Sequence, residues 1–185
     1  MELESKTTIL NAYLNRLDTQ RESAIQSLEG LTSDQLWQRP EPGEWCIGEI
    51  LNHTVLTTRS MFPLIRIAWR WFRWTSVVFK KRPFRTVMED PYRKQNFPHW
   101  FSFPWKPKYT PQNPVPLSTL LQEMRDMHQE VRAFYDGKDE EVLGHVYLFD
   151  PLFGFINLIL TLRIGLYHDQ LHYEDVIKQA RALKE

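Results

Sequence analysis

The chain is poor in cysteine, in long apolar runs and in net charge. Its single cysteine, Cys46, excludes an intramolecular disulfide framework. Lys plus Arg number 23 and Asp plus Glu number 23, so the chain lacks the basic excess typical of nucleic-acid-binding proteins. The most apolar run, residues 152–162, is too short to span a bilayer, and no leader-like segment is visible. We expect a cytoplasmic protein without a nucleic-acid partner or a transmembrane segment.

Proline and aromatic residues are abundant by contrast, and the chain length suits one domain. There are 12 prolines, and aromatic residues make up 14% of the chain. A chain of 185 residues can bury a core without disulfides or metals, so we expect a single domain over residues 1–185. Any metal in such a domain is expected to serve chemistry rather than folding.

Apolar residues recur at helical spacing in four segments, 3–30, 46–79, 117–135 and 153–183. Pro63 should kink the second segment. Residues 142–149 could form a short extended piece, but no longer stretch alternates like a strand. The pattern predicts an all-α protein, a four-helix bundle.

The second and third predicted helices are separated by a long loop, residues 83–116. It contains eight of the twelve prolines, which exclude a helix or a central strand. It also contains many aromatic residues, which a disordered linker would lack. We therefore expect an ordered loop packed over one end of the bundle, as a lid or a binding element.

Three histidines are candidate metal ligands. His168 and His172 are four residues apart and therefore share one helical face, and His53 lies on an otherwise apolar helical stripe. Three neutral imidazoles facing a bundle interior would form an open catalytic site for a divalent ion. The alternative is that these histidines are surface residues or hydrogen-bonded core residues. Asp169 replaces the glutamate of the H-E-x-x-H metalloprotease motif, so a protease is not expected.

The remaining histidines, His99, His128 and His145, are expected to have solvent or structural roles. Asp169 or Glu174 could orient a ligand histidine from behind.

Five segments in order resemble a known family: LWQRP at 36–40, PGEW at 42–45, GEILNH at 48–53, DPLFG at 150–154 and YHDQLH at 167–172. Together they are similar to the DinB-like (DinB/YfiT) metal-binding four-helix bundles. The resemblance implies an up-down-down-up course and a divalent metal, commonly nickel, zinc or iron. The family's three histidine ligands fall on His53, His168 and His172. Relatives include transferases and isomerases that use low-molecular-weight thiols, and others are described as metal-dependent hydrolases.

Cys46 stands where the family often has serine. It is either a small apolar residue at a helix start or a thiol whose pKa the helix N-terminus lowers. About two helical turns, roughly 10 Å, separate it from His53, so it is not expected to be a ligand of the same ion.

The charge balance hides an uneven distribution. Residues 55–95 contain ten basic and two acidic residues, a net +8, whereas residues 1–54 carry −5 and residues 96–185 carry −3. Tryptophans and phenylalanines interleave with the arginines of segment 59–85. We expect these aromatics to pack under the proline-rich loop. The alternatives are that this segment binds an anionic small substrate or thiol, a membrane, a single nucleic acid strand, or a second copy in a homodimer.

Three functions therefore compete. The first is a metal-dependent enzyme, a thiol transferase or a hydrolase, acting on a small molecule. The second is a non-catalytic metal-binding or stress-response protein. The third is a peripheral membrane or interaction protein working through segment 59–85.

Overall fold

Four long helices dominate the computed structural model, which describes residues 8–95, 97 and 105–185. The elements in chain order are α1 Ile9–Ser27, α2 Ser33–Leu36, α3 Ile47–Ser76, α4 Leu117–Tyr135, α5 Glu140–Leu143, β1 Tyr147–Asp150, β2 Gly154–Asn157 and α6 Leu158–Ala182. A 3-10 turn, Val77–Phe79, extends α3. The predicted all-α four-helix bundle is confirmed. No helix in the described part of the chain combines the length and hydropathy needed to cross a membrane.

Side-chain contacts show that α1 and α6 run in the same direction. Early in both helices, Arg163 donates to the Tyr13 hydroxyl, and late in both, Lys184 donates to the Ser27 carbonyl at 2.8 Å. Helix α3 runs antiparallel to α6, because the start of α3 lies beside the end of α6, where Gln179 donates to the Trp45 carbonyl.

Helices α3 and α4 are parallel to each other. Before both helices begin, the Trp37 indole N–H donates to the Val115 carbonyl at 3.2 Å. After both have ended, Lys80 forms an ion pair with Asp139. With α1 parallel to α6, these pairings give the up-down-down-up course that the resemblance implied.

The long connection follows from this parallel pairing. The 30 residues of α3 rise about 45 Å, and the chain must return over that length before α4 can begin. The described residues between the two helices, 80–95, 97 and 105–116, belong to this return. Their backbone is held by the bundle: the Tyr13 hydroxyl donates to the Thr86 carbonyl and the Asn157 amide to the Arg85 carbonyl, both at 2.8 Å.

The sequence-based boundaries fail before α6. The fourth helix was expected from residue 153, but residues 154–157 form β2, paired antiparallel with β1, and α6 begins only at Leu158. Asn157 caps it by accepting a hydrogen bond from the Leu160 N–H at 2.9 Å. The expected extended piece at 142–149 is only partly extended, because α5 occupies its first two residues and β1 its last three. The second helix does continue through Pro63, as the segment 46–79 predicted.

Close packing fixes the start of α3 against the preceding loop. A Cβ atom on Gly48 would lie 2.7 Å from the Trp37 ring. That ring is buried and is held by its hydrogen bond to the Val115 carbonyl, so it cannot move aside cheaply. Only glycine therefore fits at residue 48.

Gly48→Ala is expected to lower the free energy of unfolding by about 1–3 kcal/mol, the usual effect of overpacking. Gly165→Ala is the matched control. Gly165 also lies in a helix, but a Cβ there meets nothing within 4 Å. This change should raise the free energy of unfolding by about 0.5–1 kcal/mol through helix propensity alone. Urea unfolding of both variants measures the difference, and equal effects would contradict the packing argument.

Candidate metal centre

Three histidine side chains meet in the middle of the bundle. His53 comes from α3, and His168 and His172 come from successive turns of the antiparallel helix α6. One ring nitrogen from each lies within 4.8 Å of the other two. The Nε2 atoms of His53 and His168 are 3.3 Å apart. The convergence that the sequence predicted is thus present in the structure.

The His53 ring is oriented by the returning connection. Its Nδ1 lies 2.7 Å from the Trp105 carbonyl oxygen, which can only accept, so Nδ1 carries the proton. The neutral ring therefore presents the Nε2 lone pair to the other two histidines. Burial lowers the pKa of His53 to about 4 and that of His172 well below its usual value. Both rings are therefore neutral at pH 7, as metal ligation requires.

Asn52 is a supporting residue that the sequence reasoning missed. Its buried side-chain oxygen accepts hydrogen bonds from the backbone N–H groups of Lys108 at 2.7 Å and Tyr109 at 3.3 Å. These bonds hold the connection at the place where the Trp105 carbonyl meets His53. A buried asparagine directly before a candidate ligand, within GEILNH, was the available signal.

A buried polar group lies behind His168. The Asp169 carboxylate is 3.4 Å from Nδ1 of His168 and 3.8 Å from Nε2 of His128. The Tyr173 hydroxyl lies 3.3 Å from the same His128 nitrogen. The Asp169 carboxylate is therefore close enough to accept a hydrogen bond from Nδ1 of His168. The expectation for Glu174 is wrong, because its carboxylate lies at the surface and pairs with Arg93 at 3.2 Å.

Neither of the other described histidines belongs to the three-histidine group. His128 is buried in α4, on the far side of the Asp169 carboxylate from His168. His145 Nδ1 lies 2.7 Å from the Glu141 carbonyl, near the end of α3 rather than its start. His99 falls outside the described residues.

A cavity of about 880 Å³ opens onto the three histidines. Aromatic side chains from several parts of the chain line it, among them Trp45, Tyr92, Phe97, Trp105 and Phe153. The Tyr92 ring centroid lies 5.6 Å from that of His168. Burial and the nearby Asp150 carboxylate raise the pKa of Tyr92, so its hydroxyl stays protonated.

Cys46 belongs to the helix cap and not to this site. Its backbone N–H donates to the Glu49 carboxylate at 3.1 Å, the capping box that the sequence predicted. Arg39 binds both oxygens of the same carboxylate, at 2.5 and 3.1 Å. Burial raises the pKa of the Cys46 thiol to about 12. Cys46 is therefore a buried residue at a helix start, as the first interpretation had it. The alternative, a thiol whose pKa the helix N-terminus lowers, is wrong.

The Cys46 thiol is expected to be inert in the folded protein. At pH 8 a thiol of pKa 12 is ionised about 10⁻⁴ of the time, so alkylation should be more than about 1,000-fold slower than in unfolded chain. Iodoacetamide labelling followed by mass spectrometry, with and without guanidinium, measures the ratio on the one cysteine. Stoichiometric labelling of the native protein within minutes would contradict this prediction.

The molecule is thus an up-down-down-up four-helix bundle with three inward histidines on its second and fourth long helices. A family model described as the DinB superfamily matches residues 16–176, and the chain belongs to that superfamily. Among solved structures, YfiT from Bacillus subtilis is 14% identical, and the match covers 100% of this chain and 92% of YfiT with a TM-score of 0.60. YfiT is described as a probable metal-dependent hydrolase with an unusual four-helix bundle topology. A search of the curated proteins found no match.

Proposed function

We propose that this protein is a divalent-metal-dependent hydrolase of small molecules, with the metal held by His53, His168 and His172. The observation that carries the proposal is the convergence of three ring nitrogens within 4.8 Å at the cavity. YfiT, which shares the fold, is described as a probable metal-dependent hydrolase, and this supports the same class of reaction here.

The donor set fits a divalent ion. The Trp105 carbonyl fixes His53 in the tautomer with an unprotonated Nε2, and lowered pKa values keep His53 and His172 neutral. Three imidazoles are the protein ligands of open catalytic zinc sites and also suit nickel and iron(II). The chain's donors therefore support a divalent metal without selecting one.

The chain's own residues would position the reactants. A bound divalent ion would lower the pKa of a water molecule and polarise a substrate oxygen. Asn52 and the Trp105 carbonyl hold the His53 ring, and Asp169 lies behind His168. The aromatic wall of the cavity would exclude bulk water and bind the apolar part of a substrate.

The charged residues around the cavity bear on whether an anionic thiol can be a co-substrate. Among the described residues that line the cavity, Lys178 is the single lysine or arginine, whereas Glu44, Asp150, Asp169 and Asp175 are carboxylates. A bound divalent ion would itself attract a carboxylate, but the chain's own charges disfavour a thiol that carries several carboxylates. We therefore propose a substrate without negative charge, instead of the anionic one that the sequence left open.

Each of His53→Ala, His168→Ala and His172→Ala is expected to weaken metal binding by more than about 100-fold. Losing a partner behind a ligand already costs 10–100-fold, and losing the ligand itself costs more. Calorimetric titration of tag-free protein with zinc, nickel and iron(II) gives the affinities. At 100 times its dissociation constant, the metal should also raise the free energy of unfolding of the wild type by about 2.7 kcal/mol.

His145→Ala is the matched control, because it removes an imidazole near the far end of α3. It should bind metal as the wild type does. Equal, weak binding by the wild type and all four variants would overturn the metal site.

Metal-loaded protein is expected to hydrolyse uncharged aryl esters or amides with apolar acyl groups, and His172→Ala to lose this activity. The assay follows product release over a panel of esters and amides, with His145→Ala as control. A parallel panel combines low-molecular-weight thiols with an electrophile. Thiol-dependent product without hydrolysis would assign the protein to the transferases instead. Metal binding without turnover on either panel would leave a non-catalytic metal-binding protein.

A further inference from the structure

The C-terminal half of α3 carries an apolar stripe on its solvent side. The residues of this outer stripe are Leu64, Ile67, Trp71, Trp74 and Val78. Their spacings of three, four, three and four residues place them along one side of the helix. Trp71 and Trp74 are each 70% exposed, and Val78 is 80% exposed. The expectation that these aromatics pack under the proline-rich loop is therefore wrong for Trp71 and Trp74.

The bundle does not need the outer stripe. The opposite side of the same helix supplies the core, with Phe62, Ile65 and Ala68 buried, and Trp69 packs edge-to-face on Phe134 of α4. A soluble helix normally pairs one apolar face with a polar one. Here the outward face is apolar as well, and a contiguous apolar patch of this kind marks an interaction surface.

The part of the chain that carries the outer stripe is rich in positive charge. No acidic residue occurs between Glu49 and Glu89. In this interval, Arg66 pairs with Glu130 at 3.0 Å and Lys80 pairs with Asp139. No carboxylate lies within 4 Å of the remaining exposed cations among the described residues, namely Arg59, Arg70, Lys81, Arg82 and Arg85.

Charge decides which partner fits. Two copies packed through this face would bring the unpaired cations of both copies together, and like charges across an interface are unfavourable. A single nucleic acid strand would satisfy the cations, but it binds by base stacking on aromatic rings, and Leu64, Ile67 and Val78 offer none. An anionic bilayer satisfies both properties, because its headgroups attract the cations and its interface accommodates tryptophan and aliphatic side chains.

We propose that the outer stripe of α3 and its unpaired cations form a docking surface for anionic phospholipid bilayers. The helix lies along the interface, with Trp71 and Trp74 at the level of the headgroups. The proposal is independent of the metal site, which lies near the opposite end of α3.

Co-sedimentation with vesicles tests the proposal on the full-length protein. The probes are phosphatidylcholine vesicles with and without about 30% phosphatidylglycerol. We expect binding to the anionic vesicles at low salt, little binding to the neutral ones, and release at high salt. Arg70→Gln/Lys81→Gln/Arg82→Gln should weaken binding about a hundredfold, and Trp71→Ala/Trp74→Ala at least about tenfold.

Phe149→Ala/Phe155→Ala is the matched control. These two rings pair across the hairpin and are 62% and 75% exposed, but no lysine or arginine lies between residues 139 and 162. This variant should bind anionic vesicles as the wild type does. Helical circular dichroism checks that each variant folds, and Val78→Glu gives a second, single-site test of the stripe.

Three results would overturn the proposal. The first is no binding of the wild type to anionic vesicles at low salt. The second is binding that the stripe and cation variants leave unchanged. The third is light scattering that shows a dimer which Trp71→Ala/Trp74→Ala converts to a monomer, because the stripe would then be a contact between two copies. A loss of metal binding in the histidine variants would not affect any of these outcomes.

Discussion

The parallel alignment of α3 and α4 is the constraint on which the rest of the molecule depends. Parallel neighbours cannot be joined by a tight turn, so the chain needs a connection that spans the length of the bundle. That connection passes the candidate metal centre, where its Trp105 carbonyl orients His53. The topology of the bundle therefore supplies a polar contact to the site that the four long helices alone do not provide.

Several polar side chains are buried in the interior of the bundle around the candidate metal centre. His53, Asn52, His128 and Asp169 are all buried, and each would be costly there without a partner. Asn52 obtains its partners from the connection, and His128 and Asp169 lie beside each other. One ring nitrogen from each of the three histidines of the centre lies within 4.8 Å of the other two. Aliphatic side chains would be at least as stable at these positions, so the buried polar groups support the proposed metal site.

Local patterns in the sequence predicted the parts of the structure that are themselves local. The spacing of His168 and His172 placed these two on one helical face, because helix periodicity decides which residues share a face. The meeting of both with His53 depends on how the helices pack, and it was predicted from the apolar stripe and the family resemblance together. Glu49 was placed correctly by the capping-box spacing. The possible extended piece at 142–149 overlaps β1, but β2 was missed because a strand of four residues shows too little alternation to be distinguished from the start of a helix. Contacts such as Asn52 with Lys108 depend on the path of the connection, which no local pattern encodes.

Helix α3 combines two roles that are separated along its length. Residues 47–55 are all buried, and they include Asn52 and His53, which this helix contributes to the site. From Leu64 onward the same helix has one face in the core and the outer stripe in solvent. Eighteen residues separate His53 from Trp71, which corresponds to about 27 Å along a helix axis. Substitutions that far apart act independently unless they share a partner, so the chemistry of the centre and the contacts of the stripe can each be changed without the other.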